Sequence, residues 1–118
     1  MPALNFKKRF ASNVESGEKR YTIRARRKDG RDPRSGQTLY LYTGMRTQYC
    51  RKLGEEKCKT TEAITIEGWH NVIVGIKPLS LVEEKELAIS DGFETSGDFF
   101  KFFEKTHGFP FYGLIIRW

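Results

Sequence analysis

The 118 residues carry 21 Lys and Arg against 15 Asp and Glu, a formal net charge of +6. That length suits one domain with its own hydrophobic core and is too short for two ordinary ones. No apolar run approaches the roughly 20 residues of a membrane helix. The charges at Lys7, Lys8 and Arg9 follow a very short apolar stretch, unlike a secretory signal, so the expected setting is the cytoplasm, with no membrane partner.

Leu4 to Phe6 reads as a short strand or a helix lead-in. Phe6, Phe10 and Val14 then recur at the spacing of one face of an amphipathic helix, which Gly17 stops. A strand is expected from Arg20 to Arg26. Its alternation separates Tyr21, Ile23 and Ala25 from Arg20, Thr22, Arg24 and Arg26, one face suited to a core and the other to an anion, with Lys19 at the head of the strand. Residues 27–36 form a polar loop rich in turn formers.

From Thr38 to Thr43, Leu39 and Leu41 alternate with Tyr40 and Tyr42, a strand pattern that Gly44 closes. Met45 to Gly54 reads as a second basic loop. Residues 57–67 are strand-like, and Gly68 separates them from a further run, His70 to Ile76, so that the two runs read as a hairpin. Ser80 opens a helix through a capping box with Glu83, and this helix fades at Asp91 and Gly92. Thr95 or Ser96 caps the next helix, whose Phe99, Phe102 and Phe103 form a core stripe before Gly108 and Pro110 end it. Phe111 to Trp118 is a final strand.

Five or six short strands with two or three helices, two of them late in the chain, define the α+β class. The expected architecture is a small curled sheet or barrel with helices packed on it, one domain over residues 1–118.

Cys50 and Cys58, with seven residues between them, and His70 raise the question of zinc. A structural zinc site takes two close pairs of ligands, so free thiols are expected, with no metal and no cofactor. His107, at the end of the last helix, is placed to serve the helix dipole.

Charge is unevenly distributed. Residues 1–60 hold 16 Lys and Arg against 6 Asp and Glu, and residues 61–118 hold 5 against 9. Such polarity points to a polyanion, with nucleic acid the expected partner and an acidic protein the alternative. Lys19, Arg20, Arg24, Arg26, Arg27 and Lys28 are candidates to neutralise phosphates, and Arg46, Arg51 and Lys52 add a second patch. Tyr49, inside the second basic loop, is the candidate for stacking on an exposed base, whereas Tyr21 is expected to pack.

One stretch carries more. An aromatic-x-x-x-aromatic helix runs into Gly17-x-Lys19-x-x-Thr22-Ile23-Arg24, and Ser35 to Leu39 makes a turn before a strand. Leu87-Ala88 through Asp91-Gly92-Phe93 and the closing Phe111 to Trp118 follow in order. These residues, over nearly the whole chain, resemble the ASCH domains of the PUA-like superfamily, in the compact form found in bacteria and phages. The resemblance implies a β-barrel with a cleft lined by the first strand, the loops after it and the start of the late helical element. It also implies binding of RNA, DNA or a modified nucleotide.

One ASCH branch comprises amidohydrolases that remove the acetyl group of N4-acetylcytidine with a lysine, a threonine and a glutamate, and other members are ribonucleases. Carried over by motif, those roles fall on Lys19, Thr22 and Asp91, the last an aspartate where that branch has glutamate. Lys19 would act as base or nucleophile, its pKa lowered by desolvation and by Arg20, Arg24 and Arg26. Thr22 would orient the acyl oxygen, and Asp91 would handle the proton of the departing amine. Binding is the expected function, and hydrolysis of an acylated nucleoside is the alternative.

Overall fold

Leu4 and Phe6 are buried and Ala3 and Asn5 exposed, so the first apolar residues extend as a strand, β1 (Ala3–Phe6), rather than joining the helix that follows. The computed structural model describes residues 2–118. In it β1 leads to α1 (Lys8–Ser16), β2 (Tyr21–Ala25), β3 (Thr38–Thr43), β4 (Arg51–Lys57), β5 (Thr60–Gly68), β6 (Asn71–Val74) and β7 (Lys77–Pro78). Then come α2 (Leu81–Ser90), α3 (Ser96–Thr106) and β8 (Phe111–Arg117). The class is α+β, with one sheet in the order β1-β3-β4 and another in the order β2-β8-β5-β6-β7. Among the described residues no helix is long and apolar enough to cross a membrane. The chain divides into two units, the first holding residues 2–22, 27–61 and 116–118, and the second residues 23–26 and 62–115.

In the first unit β1 runs parallel to β3, placing Leu4 opposite Leu41 and Phe6 opposite Thr43, and β3 runs antiparallel to β4. The Thr43 hydroxyl donates to the Phe6 carbonyl at 2.8 Å, which satisfies a buried polar group beside the core residues Leu39 and Leu41. Pairing of Leu41 with Gly54 and of Tyr42 with Lys52 leaves Leu53 as the extra residue of a β-bulge. Helix α1 packs on β3 and β4 and buries Ala11 and Val14. Phe6 is therefore not on the helical face that its spacing suggests. Its ring meets Trp118 edge-on at 5.8 Å.

Strand β4 corrects the expected loop from Met45 to Gly54. Arg51 and Lys52 belong to a strand, and only residues 45–50 are loop. Five of the seven β4 residues are charged, a poor intrinsic strand, and backbone pairing with β3 overrides that preference.

In the second unit β5 and β6 form the expected hairpin, turning at Trp69 and His70, and β7 extends it, with Ile73 opposite Pro78. Ser80 and Glu83 make the complete capping box of α2, and the Thr95 hydroxyl caps α3 by accepting from the Asp98 N–H at 3.0 Å. The buried aromatic face of α3 is Phe99, Phe100 and Phe103. Successive helix residues lie about 100° apart, which puts these three on one arc with Phe102 at its flank. Phe102 instead meets Phe93 at 5.5 Å, and Phe103 continues the core to Phe111 at 4.9 Å.

Candidate functional site

Gly17 ends α1 in the left-handed region, φ 86°, and turns the chain so that the Lys19 N–H bonds the Asn13 carbonyl at 2.9 Å. The Lys19 side chain is only 3% exposed. Its ammonium lies 5.3 Å from the centre of the Phe10 ring and 5.3 Å from that of Tyr21, so two aromatic faces attract the charge that burial opposes. Thr22, two residues into β2, is 5% exposed. Both side chains belong to the first unit. Lysine is almost never buried to this degree without a partner or a purpose.

Arg24 and Asp91 belong to the second unit. Arg24 is mostly buried, and desolvation lowers its pKa, while the Asp91 carboxylate acts in the opposite sense and supports its charge. Asp91 is 6% exposed and caps the C-terminal end of α2, where the helix dipole disfavours an anion, so the guanidinium offsets that cost. Gly113 of β8 comes so close to Arg24 that a Cβ there would collide with the Arg24 carbonyl and, at 2.7 Å, with the Phe111 ring. That close approach fixes the backbone at Arg24. An isolated glycine inside an apolar strand is the sequence signal for it.

Strand β2 does not present the open anion face that alternation suggests. Thr22 and Ile23, on opposite faces, are both buried, and Ala25 is exposed. The other sequence candidates fall on the surface: Arg20, Arg26, Arg27, Lys28, Arg46, Tyr49, Arg51 and Lys52 are all exposed. Three of these cations hold carboxylates. Arg27 grips Asp29 through two bonds of 3.0 and 3.2 Å, Arg51 meets Glu15 at 2.6 Å, and Lys52 contacts Glu55. Arg20 donates to the Gly17 carbonyl at 3.2 Å. Tyr49 is 76% exposed, with a ring face open to a stacking partner.

The first unit contains 15 Lys and Arg against 6 Asp and Glu, and the second 6 against 9, so the charge asymmetry of the sequence follows the structural division. Arg31 and Arg34, in the loop between β2 and β3, add to the positive unit, yet sequence reasoning passed over them as parts of a turn-rich segment. It also passed over Glu84, a buried acid on α2 that meets His70.

Cys50 is exposed and Cys58 buried, both as free thiols, and burial raises the Cys58 pKa. Among the described residues no three His, Cys, Asp or Glu side chains gather as a metal site. The dipole role expected of His107 needs a charged imidazole. Instead its ring packs against Phe103 at 5.9 Å and Phe111 at 4.8 Å, and desolvation there lowers its pKa, favouring the neutral form.

Comparison of the chain with family models, with curated proteins and with solved structures finds no match.

Proposed function

We propose that the protein binds nucleic acid or a modified nucleotide, RNA foremost, through a PUA-like cleft to which Lys19, Thr22 and Arg24 contribute. On this reading the two sheets are parts of a PUA-like barrel. The observation that carries it is the burial of Lys19 and Thr22 at 3% and 5% exposure, in the segment that resembles the ASCH motif. A buried ammonium and a buried hydroxyl offer a strong charged donor and an adaptable polar group to a base or an acyl oxygen. The excess of cations in the first unit supports a polyanionic ligand.

Fluorescence anisotropy with labelled single-stranded RNA and DNA tests this reading. Lys19→Met removes the charge and retains the aliphatic packing against Phe10 and Tyr21. It is expected to weaken binding on the order of tenfold, the scale of one charged hydrogen bond. Unchanged affinity in a folded variant would remove Lys19 from the site.

Burial of Asp91 at 6% exposure favours a second reading, an amidohydrolase acting on N4-acetylcytidine or a related acylated nucleoside. Lys19 would deprotonate the water that attacks the acyl carbon, Thr22 orient the acyl oxygen, and Asp91 carry the proton to the departing N4 amine as the C–N bond breaks, releasing acetate and cytidine. Release of cytidine from N4-acetylcytidine, abolished by Lys19→Met, is the result expected of it. No turnover at high enzyme concentration eliminates that substrate.

A further inference from the structure

We infer that the loop between β2 and β3 forms a phosphate subsite that holds the backbone of a single-stranded polynucleotide. Arg27, Gly30, Arg31, Asp32, Arg34 and Gln37 line a groove of about 420 Å³. That volume lies in the range of small-molecule sites, roughly 300–1,000 Å³, and exceeds what a lone ion fills. Three arginines line it against one aspartate.

The loop is fastened at several points. Pro33 is buried. The Gly36 N–H bonds the Cys58 carbonyl at 2.8 Å, the Cys58 N–H returns a bond to the Gln37 carbonyl at 2.8 Å, and the Ser35 hydroxyl donates to the Lys59 carbonyl at 2.7 Å. The loop is thereby held to the turn between β4 and β5. Within it, the acceptors are already engaged. Asp32 Oδ1 accepts from the Arg27 N–H at 2.9 Å, Asp29 Oδ1 from the Arg31 N–H at 2.9 Å, and Gln37 Oε1 from the Arg34 N–H at 2.9 Å. Asp29 also holds the Arg27 guanidinium.

Asp29 is therefore paired with Arg27, while Asp32 is anchored to a backbone donor and keeps its charge at the groove. Among the described residues, neither the Arg31 nor the Arg34 guanidinium lies within ion-pair distance of a carboxylate. Two unpaired planar forks at one groove match phosphate oxygens, which accept paired N–H bonds from arginine.

This inference rests on the nucleic-acid reading and narrows it, because a free nucleoside has no phosphate for the groove. The test measures the affinity of a labelled single-stranded RNA 12-mer over a salt series. The proteins compared are the wild type, Arg31→Gln/Arg34→Gln, Lys19→Met, and the control Lys101→Gln/Lys105→Gln, which removes the same charge from exposed positions of α3. The loop variant should lose on the order of tenfold affinity and flatten the log–log salt slope by about 1.4, two single-strand phosphate contacts. The control should keep the wild-type slope.

Wild-type affinity and slope in the loop variant, with Lys19→Met weakened, would overturn the groove and leave the proposed function standing. Equal losses in the loop variant and the control would also overturn it, since net charge alone would then explain the effect. A weakened loop variant beside an unaffected Lys19→Met supports the groove and removes Lys19 from the reading. If the wild type binds no RNA or DNA, the polynucleotide is overturned along with the proposed function.

Discussion

His70 Nδ1 lies 3.1 Å from Glu84 Oε1, tying the tip of the β5–β6 hairpin to a carboxylate on α2 that is 1% exposed. His70 adopts φ 60°, a left-handed conformation uncommon outside glycine, and its ring meets Phe100 edge-on at 5.2 Å. Glu84 Oε2 is buried without a hydrogen-bond partner. The histidine is thus the partner that makes a buried acid tolerable.

Unequal costs are expected when the two members of this pair are replaced. His70→Ala leaves the buried carboxyl without its partner and should destabilise the protein by about 1–3 kcal/mol. Glu84→Met replaces the acid and its orphaned oxygen with an apolar side chain of similar volume and should cost clearly less. Urea unfolding of both variants measures the difference, and equal losses would refute a dominant role for the buried charge.

Asp91→Asn tests the electrostatic support of Arg24. The substitution preserves shape and removes the charge that opposes desolvation of the guanidinium, so a loss of about 1–3 kcal/mol is expected. Thermal and denaturant unfolding report it. Stability equal to wild type would refute Asp91 as the electrostatic support of Arg24.

Gly113→Ala should destabilise by about 1–3 kcal/mol, because the new methyl meets the Arg24 carbonyl and the Phe111 ring. Its effect should reach the site as well. Displacement of Arg24 is expected to weaken RNA binding even at temperatures where the variant is fully folded, a point that anisotropy on the folded protein decides.

His107 predicts a pH dependence of known sign. Partial desolvation against Phe103 and Phe111 sets the folded pKa of this exposed residue below the usual 6.5, so the unfolded chain takes up the proton first as pH falls. This contribution is complete above pH 6.5 and is lost as pH falls from there through the folded pKa. The imidazole keeps one side toward solvent, so the slope should be shallow. His107→Phe should flatten the stability–pH curve as pH falls below about 6.5, with the rest of the curve unchanged.

What the sequence by itself determined lies within a few residues. The Ser80–Glu83 capping box, the Thr95 cap, the left-handed stop at Gly17 and the hairpin turning after Gly68 arise from contacts between near neighbours, and the alternation of Leu39 and Leu41 follows from the period of a strand. The segment from Gly17 to Arg24 also stood out, through a lysine at the head of a strand that carries a hydroxyl and an arginine two residues apart.

Tertiary structure alone decided the rest. Charged β4 became a strand through its pairing with β3, and Phe6 left the α1 face for Trp118. Glu15 and Glu55 joined the cations Arg51 and Lys52, and Asp29 joined Arg27, while Arg31 and Arg34 stayed unpaired. The physical reason is range. Caps and turns close bonds between residues three or four apart, whereas burial of Lys19, partnership of His70 with Glu84 and the approach of Gly113 to Arg24 depend on segments that only the folded chain brings together.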